Sequence, residues 1–340
     1  MTPILSSKAV FVLAVFTLLA LYPLAAGSFG IDLVSKTMIF ALFALSLELL
    51  VGGAGLVCFG HAAFFGIGAY AVVLLSPPDG PASLLWLLPA ASVAAALYAL
   101  VVGALSLRTK GVYFIMVTLA FAQMAYYVVH DTPLGGGTDG IYLGSKPVLG
   151  RWIDLDKPLV LYGFILAVLA GLFVCLALLS RSRFGRALAG IRVNEQRMRA
   201  TGFATYPYKL AAFTISGGIA GLAGALFAIK DGFVNPELMS WHFSGAVLIM
   251  IILGGIGHLR GALIGAFAFA LLQEFFQSEA LFGNFAKHWH LGLGLTIIAS
   301  VALLPRGLVG LPGQWRERLV GRASRRAEAD EVAEVAKGQA

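Results

Sequence analysis

Charge is scarce in this chain. Only 12% of its 340 residues are Asp, Glu, Lys or Arg, and 59% are hydrophobic. A soluble domain carries about a quarter charged residues, so most of this chain does not face water. Cysteine is scarce too. Cys58 and Cys175 both lie in apolar context, with no second Cys or His at ligand spacing. That argues against a disulfide framework and a zinc site and predicts two buried free thiols. Nucleotide signatures are missing as well. The sequence has no G-x-x-x-x-G-K-[ST] loop, and the glycines from Gly53 onward do not complete G-x-G-x-x-G after a strand. No Ser, His and acid are grouped as a nucleophilic set, which leaves an enzyme reading with little support.

What is present is apolar length. Runs of roughly 20 apolar residues recur, each enough to cross a bilayer as a helix. Their unbroken apolarity argues against a transmembrane β-barrel, whose strands alternate. The expected fold is all-α: a polytopic membrane helix bundle forming one domain over 1–312, with a polar tail at 313–340. Ten spans are predicted at 9–26, 34–51, 61–76, 85–106, 111–130, 159–180, 209–229, 243–257, 261–280 and 289–305. The third and eighth are short enough to be partial or re-entrant. The first resembles a signal peptide, with Lys8 before the apolar run, but a ten-span topology needs it as a helix.

The net charge of +7 sorts by side. Alternating spans place 18 of the 24 Lys and Arg on one face, in 181–209, in the tail and at Lys8, Arg108, Lys110 and Arg260. The positive-inside rule makes that face cytoplasmic, with both termini on it. The basic charge is then a topology signal and a contact for anionic lipid, with no nucleic acid expected. The longest outside loops are 131–158 and 230–242, and the main inside loop is 181–208.

Four features carry candidate chemistry. VGGAGLVCFGHAAFFGIGAYAVV (Val51 to Val73) is rich in glycine, and Gly52, Gly55, Gly60, Gly66 and Gly68 suit close helix packing. Glycine also permits helix breaks that line a polar path. His61 within this stretch is a capped interfacial histidine or a relay. Glu48, just before it, is either a pathway-lining group or a hydrogen-bond anchor to a neighbouring helix, since a carboxylate in a span costs several kcal/mol unless paired or wetted. Gln123 and Glu274 raise the same question more weakly. GHLRGALIGA from Gly257 echoes GHAAFFGIGA from Gly60, a hint of paired packing elements. In the inside loop, Arg186, Leu188, Ile191, Glu195, Met198 and Gly202 suggest an amphipathic helix ended by glycine. Such a helix docks a cytoplasmic partner or rests on lipid.

The chain resembles the permease subunits of branched-chain amino-acid ABC importers, the LivM type. The resemblance runs through GHAAFFGIGAY (Gly60 to Tyr70), LRTKGVYFIMVTLAFAQ (Leu107 to Gln123) and GGTDGI (Gly136 to Ile141). It continues in SRFGRALAGIRVNE (Ser182 to Glu195), YKLAAFTISGGIAGLAGALFA (Tyr208 to Ala228), LGGIGHLRGALIGA (Leu253 to Ala266) and LLPRGLVGL (Leu303 to Leu311). It implies a multi-pass subunit of the bacterial inner membrane that passes branched-chain amino acids or a related small solute inward by alternating access. The implied partners are a second, LivH-like permease, two cytoplasmic ATP-binding subunits and a periplasmic substrate-binding protein. No cofactor is expected on this chain, since ATP would be hydrolysed by the partners.

The ATPase-coupling loop would then include Arg186, Arg192, Glu195, Arg197 and Gly202, where the family's E-A-A-x-x-x-G pattern becomes QRMRATG (Gln196 to Gly202). The candidate translocation path comprises Glu48, Gly60, His61, Phe65 and Gln123. The chain departs from the family's G-Q-x-S-L-G-H at Leu56 and Cys58, and it carries Glu48 where asparagine is usual. A stand-alone ion-coupled transporter or channel is the alternative, with Glu48 its one serious ion site.

Overall fold

A computed structural model describes residues 7–77, 80–148, 155–304 and 307–311. The tail expected at 313–340 lies outside the described residues. The chain is almost wholly helical. In order run α1 (Ser7–Leu21), α2 (Ser28–Glu48), α3 (His61–Leu75), α4 (Leu84–Ser106), α5 (Val112–Asp131) and α6 (Pro158–Arg181). Then follow α7 (Arg183–Val193), α8 (Glu195–Ala200), α9 (Thr205–Asp231), α10 (Trp241–Gly254), α11 (Leu259–Gln277), α12 (Glu279–Phe282) and α13 (Trp289–Leu303). Two-residue strands β1 (Ile141–Tyr142) and β2 (Phe233–Val234) pair antiparallel, Ile141 opposite Val234.

All ten expected apolar segments contain helix, but not all are full-length. Seven helical segments among the described residues are long and apolar enough to cross a membrane, and Val10–Leu24, His61–Leu75 and Trp241–Gly254 are shorter. In the first, a 3-10 turn at Tyr22–Leu24, with Pro23 inside it, follows the end of α1.

The other two are short because they start inside the bundle. The Phe59 N–H donates to Thr118 Oγ1 at 3.4 Å, and Thr118 sits six residues into α5, roughly 9 Å from its start. The Ala62 N–H, one of the free donors at the head of α3, donates to Ser244 Oγ at 3.0 Å. Ser244 is the fourth residue of α10. The heads of α3 and α10 therefore meet deep in the protein, where irregular backbone is tolerated because protein surrounds it.

α2 and α9 form the centre; the outer helices turn apolar side chains such as Leu97, Met116 and Leu178 outward. The α4–α9 seam is built from small residues. Ala91, Ala95 and Ala99 are fully buried at one-turn spacing, and a Cβ on Gly217 or Gly221 would collide with Ala99 or Ala95. In lipid, such close backbone approach replaces the hydrophobic drive that water provides. Ser92 adds a hydrogen bond of 2.8 Å to the Gly218 carbonyl.

The loops sort to two ends. At one, β1 meets β2, Leu84 N–H donates to Val148 O at 3.0 Å, and Lys230 pairs with Asp32 at 2.8 Å. This joins the segments expected outside. At the other lie α7, α8 and the breaks after α2 and α10.

The cysteines differ from expectation in part. Cys58 is buried, but Cys175 is exposed on α6, on the helix's outward face.

Candidate functional site: an outer cavity above an inner glycine junction

A cavity of about 740 Å3 lies between α2, α10, α11 and α13. Its polar lining includes Lys36 from α2, Glu237 and His242 at the entry to α10, and Gln273 and Glu274 from α11. Trp241 and Trp289 supply aromatic walls, each lying against the following histidine with ring centroids 3.7 Å apart, the first pair tilted and the second stacked. Lys36 Nζ stands 5.9 Å from the centroids of both Phe40 and Phe227. A cation held over ring faces keeps a favourable partner in an apolar setting. Glu237 accepts from the Tyr126 hydroxyl at 3.2 Å. The cavity thus offers one cation, two carboxylates and broad aromatic surface, a combination suited to a small solute carrying both polar and apolar parts.

The sequence-predicted path residues stand elsewhere. None of Glu48, Gly60, His61, Phe65 and Gln123 lines this cavity. His61 and Phe65 brace its wall from behind. Phe43 stacks on His61 at 5.4 Å and on Phe243 at 5.6 Å, and Phe65 lies 5.1 Å from Phe243, which lines the cavity. His61 is 0% exposed, so it is a buried residue and not an interfacial cap. Ser46 Oγ lies 2.7 Å from the Phe43 carbonyl and 2.8 Å from His61 Nε2, bridging the two. Gly60 lets the head of α3 pass the Thr118 carbonyl, which a Cβ would strike. Gln123 is half-buried on α5, in a shallow groove with Met124 and Tyr127.

Glu48 ends α2 and is buried. Its Oε1 accepts from the Gly257 N–H at 2.7 Å, which makes it an anchor between helices. A π-turn over Leu49–Ala54 follows it, closed by Gly55 at φ 72°. Only glycine adopts that backbone without strain, and π-turns concentrate at functional sites.

The inside loop holds two helices where one was expected. Asn194 interrupts them with extended backbone, and its Oδ1 accepts from the Arg197 N–H at 2.9 Å. Asparagine is among the strongest N-caps because its side chain mimics the missing carbonyl. Gly202, at φ 88°, lies just past the end of α8. Arg186 turns back to the Arg181 carbonyl at 2.6 Å and Arg192 to that of Gly52, while Arg197 is exposed.

Glu195 Oε1 accepts from Lys209 Nζ at 2.9 Å, Thr205 Oγ1 at 3.0 Å and Arg199 Nη2 at 2.5 Å. Partial burial pushes its carboxyl pKa up, but Lys209, Thr205 and Arg199 outweigh this and bring it down from 4.5 to about 2. The knot pins α8 to the head of α9. It leaves Val193, 85% exposed, and Phe203 as apolar points on the surface at this end of the bundle.

Sequence reasoning missed Lys36, Glu237, His242 and Gln273. Their signal was weak: a cation inside an apolar run, and a Trp-His pair that recurs at Trp241 and Trp289.

The comparisons with known proteins agree on one family. Residues 29–301 match the family model described as branched-chain amino acid transport system / permease component. The high-affinity branched-chain amino acid transport system permease protein LivM of Escherichia coli (strain K12) is 32% identical over 324 residues, covering 88% of this chain and 74% of that protein. The Salmonella typhimurium LivM protein is 31% identical over the same shares. The autoinducer 2 import system permease protein LsrC of Klebsiella pneumoniae is 30% identical over 205 residues, 54% of this chain and 55% of its own. No solved structure gives a significant match. With a family model that matches residues 29–301 and a 32% identical relative aligned over 88% of this chain and 74% of its own length, the chain belongs to the family of branched-chain amino acid transport permease components.

Proposed function

We propose that this chain is a membrane-spanning subunit of an ATP-driven importer in the bacterial inner membrane. It carries branched-chain amino acids, or a related small solute with polar and apolar parts, from a periplasmic binding protein to the cytoplasm. It works beside a second permease of the same general type. Two cytoplasmic subunits bind and hydrolyse ATP, and the chain itself holds no cofactor. Both termini lie in the cytoplasm, with 1–312 as the membrane domain and 313–340 as a polar tail.

The observation that carries this reading is the cavity, with Lys36, Glu237 and Glu274 on an aromatic lining, in a chain of this family. Lys36 takes the carboxylate of the solute, an acid at Glu237 or Glu274 takes its ammonium, and the aromatic walls take its side chain. The catalytic cycle requires no reacting group on this chain. Binding of ATP to the partners moves the inside loop, and the bundle alternates between outer and inner access. The coupling loop runs over about 181–208, with Val193, Arg197 and Phe203 presented to the ATPase.

Reconstitution in proteoliposomes tests it. With the second permease, both ATPases and the binding protein, radiolabelled leucine should enter only with ATP. Uptake by this chain alone, driven by an ion gradient and indifferent to ATP, would replace this reading with that of an ion-coupled transporter.

A further inference from the structure

The inner end of the bundle contains two glycine breaks, one after α2 and one between α10 and α11. Three groups tie them together. Glu48 folds its carboxylate over Gly52, where a Cβ would overlap it, and reaches across to the Gly257 N–H at 2.7 Å. Arg192, near the end of α7, turns inward and donates Nη1 to the Gly52 carbonyl. Its stem packs against Gly55 and its guanidinium against Gly257, the residue whose N–H Glu48 binds. From behind, Gly307 seats the following loop on Gly255 with no room for a Cβ.

One oxygen is left over. Glu48 Oε2 is buried and has no hydrogen-bond partner among the described residues. A buried carboxyl oxygen without a partner is costly, and Arg192, from α7, covers the glycine break beside it. The arrangement therefore depends on α7 staying where it is. If α7 withdraws, the Gly52 carbonyl loses its donor and Gly257 loses the guanidinium packed on it, which loosens the Glu48 bond between α2 and the α10–α11 break.

We propose that Arg192 and Glu48 are positioning residues that transmit movement of α7 to the inner ends of α2, α10 and α11, acting as a latch on the inner gate. Neither touches the solute. The proposal rests on the importer reading above, because it assigns the force on α7 to the ATPases.

The complete reconstituted complex tests it. Wild-type protein is measured first: absence of ATP-driven uptake there overturns the importer reading and not the latch. Within an active complex, Glu48→Gln keeps an acceptor for the Gly257 N–H but removes the charge, and Arg192→Gln removes the guanidinium. Each should lower solute moved per ATP by about 5- to 10-fold while ATP hydrolysis continues. The double variant should be no worse than the poorer single one, since both break one linkage. Arg192→Lys should restore part of the ratio.

Two results overturn the latch. One is a double-variant loss equal to the product of the single losses. The other is a parallel fall of uptake and hydrolysis that leaves their ratio unchanged. If Glu48→Gln does not fold, Arg192→Gln alone suffices, with Ile256→Cys as reporter in the α10–α11 break. Maleimide labelling at that position without ATP should rise several-fold in the Arg192→Gln protein; unchanged labelling sinks the proposal.

Discussion

The stretches that begin at Gly60 and Gly257 share glycine, histidine, isoleucine, glycine and alanine at matching positions, yet the bundle uses them differently. The first sends α3 against a distant partner, with Gly68 on the backbone of Gly221 and Gly224 on the Phe65 carbonyl. The second closes a hairpin on itself, with Gly265 on the Met250 carbonyl and Gly254 on that of Gly261. His61 is sealed between Phe43 and Ser46, whereas His258 is exposed at the head of α11. Small residues permit close packing but do not choose the neighbour. The echo predicted paired elements; the structure gives each its own pair.

The largest expected effect tests both seams. Gly68→Val and Gly265→Val each drive a side chain into a backbone that cannot retreat, costing about 3 kcal/mol. Thermal unfolding in detergent should show both variants strongly destabilised. A silent Gly265→Val would mean the α10–α11 hairpin is looser than the α3–α9 seam. Next comes His61→Ala, which deletes a ring stacked on Phe43 and a hydrogen bond to Ser46. It should cost about 2 kcal/mol, against about 0.5 kcal/mol or less for His258→Ala in the same assay. Equal losses would erase the contrast between the two histidines.

The cavity separates from both stretches by function. Lys36→Met should lower uptake about tenfold, equivalent to about 1.4 kcal/mol, with the unfolding temperature unchanged. A fall in stability with normal uptake would make Lys36 structural.

The smallest effect concerns the knot on α8. The Glu195 carboxyl has its pKa lowered from 4.5 to about 2 on folding, so its stabilisation is fully present above about 4.5. It is lost as pH falls through that window to about 2. Wild-type and Glu195→Gln unfolding temperatures should keep a constant gap from pH 7 to 4.5, then converge below it. A gap that widens in acid reverses the sign and removes the ion pair as its cause.

Much of this could be read from the residues. Apolar length located the ten helices with long apolar runs, because a lipid-facing or buried span leaves few polar positions, and α7, α8 and α12 lay outside its reach. Glu48 was recognised as anchor or path, and the structure gives it an anchoring bond to the Gly257 N–H. The inside loop was located, but its two-helix form turns on the side chain of Asn194, a local cap that competes with continued helix. The cavity was not legible. Its lining joins α2 to the 237–293 region roughly 200 residues later, and no spacing along one segment encodes their convergence.

The sequence by itself determined that this chain is an all-helical membrane protein of a transport permease family, because composition, span length and ordered motifs are properties of segments. Only the tertiary structure decided where α3 and α10 begin, which glycines meet which backbone, and why Arg192 reaches Gly52. Those depend on close approach between distant segments, where a single Cβ or carbonyl selects the neighbour and the periodicity of either segment is silent.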